Sequence, residues 1–164
     1  MSTRPASVAD LPAIAEIYGH YVINSVASFE VEPPGADEWQ ARFDKVAAAG
    51  LPFLVIERGD RVAGYAYCLP WSTRPAYHGT VEDSIYLAPW ATGQGAGAEL
   101  LTALLAACGR SGVRHVIAVI ADSGDPSSFA LHRKLGFTDA GRLRQVGRKH
   151  GREIDVVQLQ YTLS

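Results

Sequence analysis

The sequence predicts a mixed α/β fold built around one sheet, and three observations carry that prediction. Two amphipathic helical patterns open the chain, and two short strand patterns meet across a tight turn behind them. A glycine-rich stretch then separates a further strand from a helix, with strand, helix and two strand patterns following. Helices, an antiparallel meander and then a β-α-β-α-β-β run are the order of a mixed α/β sheet.

The first helix starts behind Asp10, a good N-cap residue, and sets Leu11, Ile14, Ile17, Tyr18 and Tyr21 at helical spacing up to about Asn24. Pro33-Pro34-Gly35 turns the chain into a second helix, capped by Asp37 and stopped by Gly50, with Trp39, Phe43 and Val46 on one face. Residues 53–57 and 62–69 read as antiparallel strands joined at Gly59-Asp60. Arg74-Pro75 lies in a loop before a strand over residues 80–87. After the glycines come a helix over about 96–110 and a β-branched strand over 113–121. Asp125-Pro126 has the form of an N-cap with Pro at N1, opening a helix that ends at Gly136. Residues 137–146 and 153–163 finish as two strands. No repeat or linker divides the sequence, so residues 1–164 read as a single domain.

Of the 164 residues, 48% are apolar and 20% charged, and the net charge is −2. That composition is globular, and the charge gives no electrostatic reason for a nucleic-acid or acidic-membrane partner. The N-terminus lacks a signal peptide's apolar stretch, and the apolar run Val116–Ala121 is far too short to span a bilayer. Cys68 and Cys108 show no C-x-x-C spacing and read as buried free thiols. These features point to a cytoplasmic protein. The histidines show no H-E-x-x-H or paired ligand spacing, so no metal is expected.

The most informative stretch is Tyr86-Leu87-Ala88-Pro89-Trp90-Ala91-Thr92-Gly93-Gln94-Gly95-Ala96-Gly97-Ala98. Backbone N–H groups at a helix start lack intrahelical partners, and glycines let them approach phosphate oxygens closely. A pyrophosphate-binding loop follows. No Lys follows the glycines as a P-loop requires, which disfavours nucleoside triphosphate hydrolysis. Gly93-Gln94-Gly95-Ala96-Gly97-Ala98 does satisfy G-x-G-x-x-A, so a dinucleotide-dependent enzyme is the first alternative. Against it, residues 88–92 intervene between strand and glycines, and too little chain remains for a doubly wound sheet.

The stretch instead resembles the acyl-CoA loop of the GNAT superfamily of N-acetyltransferases, Gln/Arg-x-x-Gly-x-Gly/Ala, with Thr92 in place of the usual Gln or Arg. Ala88-Pro89-Trp90 and Leu131-His132-Arg133-Lys134-Leu135-Gly136-Phe137 fit the same superfamily. Thr80-Val81-Glu82-Asp83-Ser84-Ile85-Tyr86 resembles the Thr-Val-Glu-x-Ser-x-Tyr strand of its phosphinothricin and methionine sulfoximine acetyltransferase branch. So do Ile17-Tyr18-Gly19-His20-Tyr21-Val22, Ala27-Ser28-Phe29-Glu30 and Val146-Gly147-Arg148-Lys149-His150-Gly151, which extend the resemblance over essentially the whole chain. It implies a mostly antiparallel, twisted sheet with helices on both faces and a splayed central strand pair. It also implies an acetyl-CoA-dependent transfer to the amine of a small amino-acid-like substrate, and a homodimer. A non-catalytic CoA-binding sensor is the second alternative.

Transfer of an acetyl group to an amine requires that the ammonium lose a proton, that the oxyanion be stabilised and that the departing thiolate be protonated. Strand alternation puts Glu82, Ser84 and Tyr86 on one face, with Glu82 the candidate base and Ser84 beside it facing the acceptor. Asp83 fits the apolar face badly and calls for a bulge or a partner. Backbone N–H groups around Ile85 and Leu87 are the oxyanion and pantetheine candidates. His132, where many superfamily members carry a tyrosine, competes with Tyr86 as the acid. Lys134 is a candidate for a CoA phosphate, and Asp125 stands where an asparagine commonly contacts pantetheine. On the acceptor side, Arg74 suits a carboxylate clamp, Ser72 replaces a second arginine, and Phe29, Tyr77 and Trp71 are expected to line the pocket.

Overall fold

The computed structural model describes residues 1–164 and contains one seven-stranded sheet in the order β1-β2-β3-β4-β5-β7-β6. Its elements are β1 (Ser2–Pro5), α1 (Leu11–Asn24), α2 (Ala36–Ala48), β2 (Phe53–Arg58), β3 (Arg61–Pro70), β4 (Thr80–Leu87), α3 (Ala96–Arg110), β5 (His115–Ala121), α4 (Ser127–Lys134), β6 (Thr138–Lys149) and β7 (Arg152–Thr162). All neighbouring strands pair antiparallel except β4 and β5. Those two run parallel and pair only over Thr80–Glu82 and His115–Ile117. Beyond that point the centre of the sheet is splayed. No helix is long and apolar enough to cross a membrane.

The strand β1 escapes the sequence patterns because it is four residues long and ends in a proline. Arg4 holds this edge by donating to both Asp10 and Glu57. Asp10 precedes the first helix as expected, but its carboxylate turns back to accept from the Ser7 N–H at 2.8 Å rather than capping α1. Gly35, not Asp37, is the N-cap of α2, which leaves Asp37 in the first turn, where a carboxylate favours the helix dipole. α4 begins one residue later than predicted, at Ser127, and Asp125 Oδ1 still accepts from its N–H at 2.9 Å.

The two faces of the sheet are filled differently. An aromatic layer joins α1 and α2 to the sheet: Tyr18 meets Trp39 edge-on at 5.6 Å and Tyr86 at 5.1 Å, and Trp39 meets Tyr65 at 5.7 Å. Each such pair contributes about 0.5–1.5 kcal/mol beyond its buried area. Aliphatic packing dominates the opposite face, where Leu100, Leu101 and Leu104 of α3 are fully buried. There Cys68 of β3 and Cys108 of α3, both buried and free, bring their sulfurs to 3.4 Å.

Candidate active site

β4 carries the candidate chemistry because it borders the splay. Its pairing with β3 is regular from Val81 to Leu87, so no bulge disposes of Asp83. The side chain has a partner instead: Asp83 Oδ2 lies 2.7 Å from His132 Nε2 of α4, with both side chains buried. Asp83 therefore faces α3 and α4, whereas Tyr86 packs on Tyr18 and Tyr21 of α1. Alternation puts Glu82 and Ser84 on the Tyr86 face.

The Ala88 N–H donates to Ala63 O at 2.8 Å, on the β3 side. Antiparallel alternation then turns the N–H groups of Ile85 and Leu87 toward β5, which has already diverged. The carbonyl of Leu87 is taken by the Tyr21 hydroxyl at 2.5 Å.

The glycine loop ends in a left-handed turn. Gly93 has φ 73° and Gly95, the N-cap of α3, has φ 84°. A non-glycine residue pays about 1–2 kcal/mol in that region. Nothing lies within 4 Å of a Cβ placed at either position, so this face of the loop is open. Gly97 serves a different purpose, since its Cβ would sit 3.3 Å from Leu131 and 3.5 Å from Leu87. The missing side chain lets α3 approach both β4 and α4, and the first-turn N–H groups remain without intrahelical acceptors.

A cavity of about 800 Å³ fills the splay. Ile85, Tyr86, Leu87, Thr92, Gly93, Gly95, Gly97, Ala98, Asp125 and Lys134 all border it. Gln94 and Ala96 do not: Gln94 donates to Trp90 O at 3.2 Å, and Ala96 is fully buried in α3. The Thr92 hydroxyl donates to Pro89 O at 3.1 Å and stabilises the turn leading into the loop. Beside this cavity lies a second, of about 400 Å³, bordered by Tyr18, Phe29, Glu30 and Val156. Glu82 and Tyr86 line both.

Ser84 borders the larger cavity. Arg74 and Tyr77 border neither, nor does Trp71. The first two are exposed on the loop that enters β4 at Thr80. Tyr21, legible in the sequence only as a helix-face aromatic, lines the larger cavity and closes the Leu87 carbonyl.

The titrating groups are unequally placed. Burial pushes the Glu82 carboxyl above the ordinary glutamate range, and the neighbouring Asp83 charge adds to the effect. Burial also raises the Tyr86 phenol, with Tyr18 and Tyr67 contributing. For His132, burial disfavours the cation, but the hydrogen bond and charge of Asp83 outweigh it and the net direction is upward. Its Nδ1 faces Ser128 O at 2.8 Å, so both ring nitrogens are engaged.

The arrangement pairs a cavity bordered by the glycine loop and the Ile85–Leu87 edge with a smaller pocket, and sets a carboxylate of raised pKa on the wall common to both. Known proteins resemble the chain in sequence and fold. The sequence profile of the Acetyltransferase (GNAT) family matches residues 14–137. The phosphinothricin N-acetyltransferase of Alcaligenes faecalis is 49% identical over 155 residues, covering 94% of this chain and 79% of that protein. The L-methionine sulfoximine/L-methionine sulfone acetyltransferase of Pseudomonas aeruginosa PAO1 is 39% identical over 163 residues, covering 99% of this chain and 94% of the relative. Among solved structures, a GNAT superfamily phosphinothricin acetyltransferase from Sinorhizobium meliloti in complex with AcCoA superposes with a TM-score of 0.95 at 43% identity. That match covers 99% of this chain and 88% of the other. Neither the dinucleotide-dependent enzyme nor the CoA-binding sensor is favoured by these matches. The chain belongs to the GNAT family and is an acetyl-CoA-dependent N-acetyltransferase.

Proposed function

We propose that this enzyme acetylates the amine of a small amino-acid-like acceptor of the phosphinothricin, methionine sulfoximine or methionine sulfone type, by direct attack in a ternary complex. One observation carries the reading: Glu82 and Tyr86 stand on the wall common to the two cavities, where an amine from one side meets an acyl group from the other. No cysteine borders either cavity, which supports direct transfer over a thiol relay.

Coenzyme A fits the larger cavity on the grounds already given: an open left-handed turn, unpaired N–H groups and room for an extended chain. Backbone N–H groups of residues 93–98 are assigned to its diphosphate, those of Ile85 and Leu87 to the pantetheine arm, and Lys134 to a phosphate. When bound, acetyl-CoA supplies the thioester carbon. Glu82 takes the proton from the acceptor ammonium, directly or through water. Of the Ile85 and Leu87 N–H groups, the one nearer the thioester meets the negative charge on the acyl oxygen and the other keeps the pantetheine arm. Tyr86 is the better placed of the two candidate acids, because His132 already has Asp83 and Ser128 on its ring nitrogens. Asp125, as an acceptor only, acts by holding the start of α4.

The smaller cavity is the acceptor pocket, walled by Phe29. It contains no Lys or Arg; the acceptor carboxylate is assigned to Arg74, with Tyr77 beside it, on the exposed loop that enters β4 outside both cavities. We assign one catalytic domain to residues 1–164, a cytoplasmic location where acetyl-CoA is made and thiols stay reduced, and a homodimer. Exposed apolar side chains at Val31, Leu143 and Val146 support the last. The test is thiol release from acetyl-CoA with a panel of amines. Amino-acid analogues turning over far faster than simple alkylamines is the expected result, and no preference for a carboxylate-bearing amine overturns the assignment.

A further inference from the structure

The strand β6 carries two buried residues that the reaction leaves unused, Gly147 and Lys149, with the exposed Arg148 between them. Both point at one segment of the loop after α1. A Cβ placed on Gly147 would overlap Cε2 and Cζ of the Phe29 ring and come within 3.1 Å of its Cδ2. Gly147 is not among the positive-φ residues, so its backbone suits any amino acid. What demands glycine there is the aromatic ring.

Lys149 Nζ donates to Ser28 O at 2.7 Å, and the residue is only 5% exposed. No carboxylate lies within ion-pair distance of that ammonium. Burying a charge on a single carbonyl is costly, and burial accordingly lowers the Lys149 pKa. The segment 28–30 is held from other directions too. The Ser28 hydroxyl meets the Tyr18 hydroxyl at 2.7 Å, and Glu30 is gripped by Arg42 at 2.7 and 3.1 Å. Ser28, Phe29 and Glu30 are consecutive wall residues of the smaller cavity, and none of them borders the larger one.

We propose that Gly147 and Lys149 are positioning residues that set acceptor selectivity: β6 seats the Phe29 ring and the Ser28 carbonyl, and so fixes one wall of the acceptor pocket. The inference rests on reading the smaller cavity as that pocket. It predicts that side chains on β6 govern which acceptor is chosen without touching either substrate.

The experiment is steady-state kinetics with methionine sulfone and phosphinothricin as acceptors, comparing Gly147→Ala in the native and Phe29→Ala backgrounds. With Phe29 present, Gly147→Ala changes the acceptor KM by about fivefold or more, unequally for the two acceptors, and leaves the acetyl-CoA KM unchanged. In the Phe29→Ala background the same substitution has no further effect, because the ring that it would strike is gone. Lys149→Met keeps the hydrocarbon stem and loses the bond to Ser28, and it shows the same split between acceptor and acetyl-CoA. That variant decides the matter if Gly147→Ala does not fold. Equal effects of Gly147→Ala in both backgrounds, or matching shifts in the acetyl-CoA KM, overturn the proposal. An unchanged acceptor KM in Phe29→Ala alone removes the pocket reading, and the proposal with it.

Discussion

His132 Nε2 lies 2.7 Å from Asp83 Oδ2, and this contact bridges α4 and β4 where β4 and β5 have ceased to pair. The second ring nitrogen rests on Ser128 O, so the imidazole is fixed in orientation as well as in place. Breaking a buried pair from one side leaves a charge without compensation, at a cost of about 3–5 kcal/mol.

The pair makes stability depend on pH in a stated direction. The His132 pKa is raised above 6.5 in the folded protein, so its contribution is complete below about 6.5 and is lost as the pH rises through the folded value. Thermal denaturation across pH 5.5–9 is expected to show Tm falling over that upper range. His132→Phe is expected to lower Tm at pH 6 and to flatten the profile. An unchanged slope in the variant places the titration elsewhere.

Glu82 shows the opposite balance between function and stability. Its raised pKa means that folding disfavours the ionised carboxylate that a base must be. Glu82→Gln is therefore expected to lower kcat by about 10²-fold or more while Tm at neutral pH stays level or rises. The acetyl-CoA Kd is expected to stay within about twofold, since the proposed diphosphate contacts are backbone N–H groups of the glycine loop. Retained turnover removes Glu82 from the base role.

In the native enzyme, kcat/KM is expected to fall on the acid side with a midpoint above the ordinary glutamate value of 4.5. The fall reports protonation of Glu82, and the pH–rate profile measures it. A midpoint at or below 4.5 contradicts the burial of this group.

At Gly95, φ 84° makes any side chain strained. Gly95→Ala is expected to cost about 1–2 kcal/mol in the free protein and to raise the acetyl-CoA Kd by tenfold or more by titration calorimetry. Unchanged affinity places the diphosphate away from this turn.

Arg74→Ala is expected to raise the KM of a carboxylate-bearing acceptor by about tenfold or more, with the acetyl-CoA KM unmoved. Arg74→Lys recovers only part of the loss, because a single ammonium does not reproduce the paired donors of a guanidinium. A change confined to acetyl-CoA refutes the carboxylate clamp.

Much of this was legible in the sequence because the relevant signals are local. Thr80–Leu87 and Ala96–Arg110 follow from alternation and from glycine at a helix start. The glycine loop announced itself by spacing, and Asp83 by being a charge on an apolar face. Its partner was out of reach, since 49 residues separate Asp83 from His132 and only the fold closes that distance. Similarly, nothing in the Lys149 neighbourhood of the chain announces Ser28, which lies 121 residues away. β1 stayed hidden because four residues carry too little pattern, and the shifted helix starts at Ala36 and Ser127 reflect how freely Gly and Pro share cap positions with Asp.

The three parallel register pairs between β4 and β5 are the sole ladder connecting β1–β4 with β5–β7. The molecule is thus two half-sheets hinged on a narrow seam, and whatever occupies the wedge shares in holding them together. A coenzyme bonded along the Ile85–Leu87 edge becomes, in effect, temporary masonry. Amide deuterium uptake at those two residues is then expected to slow on loading with acetyl-CoA.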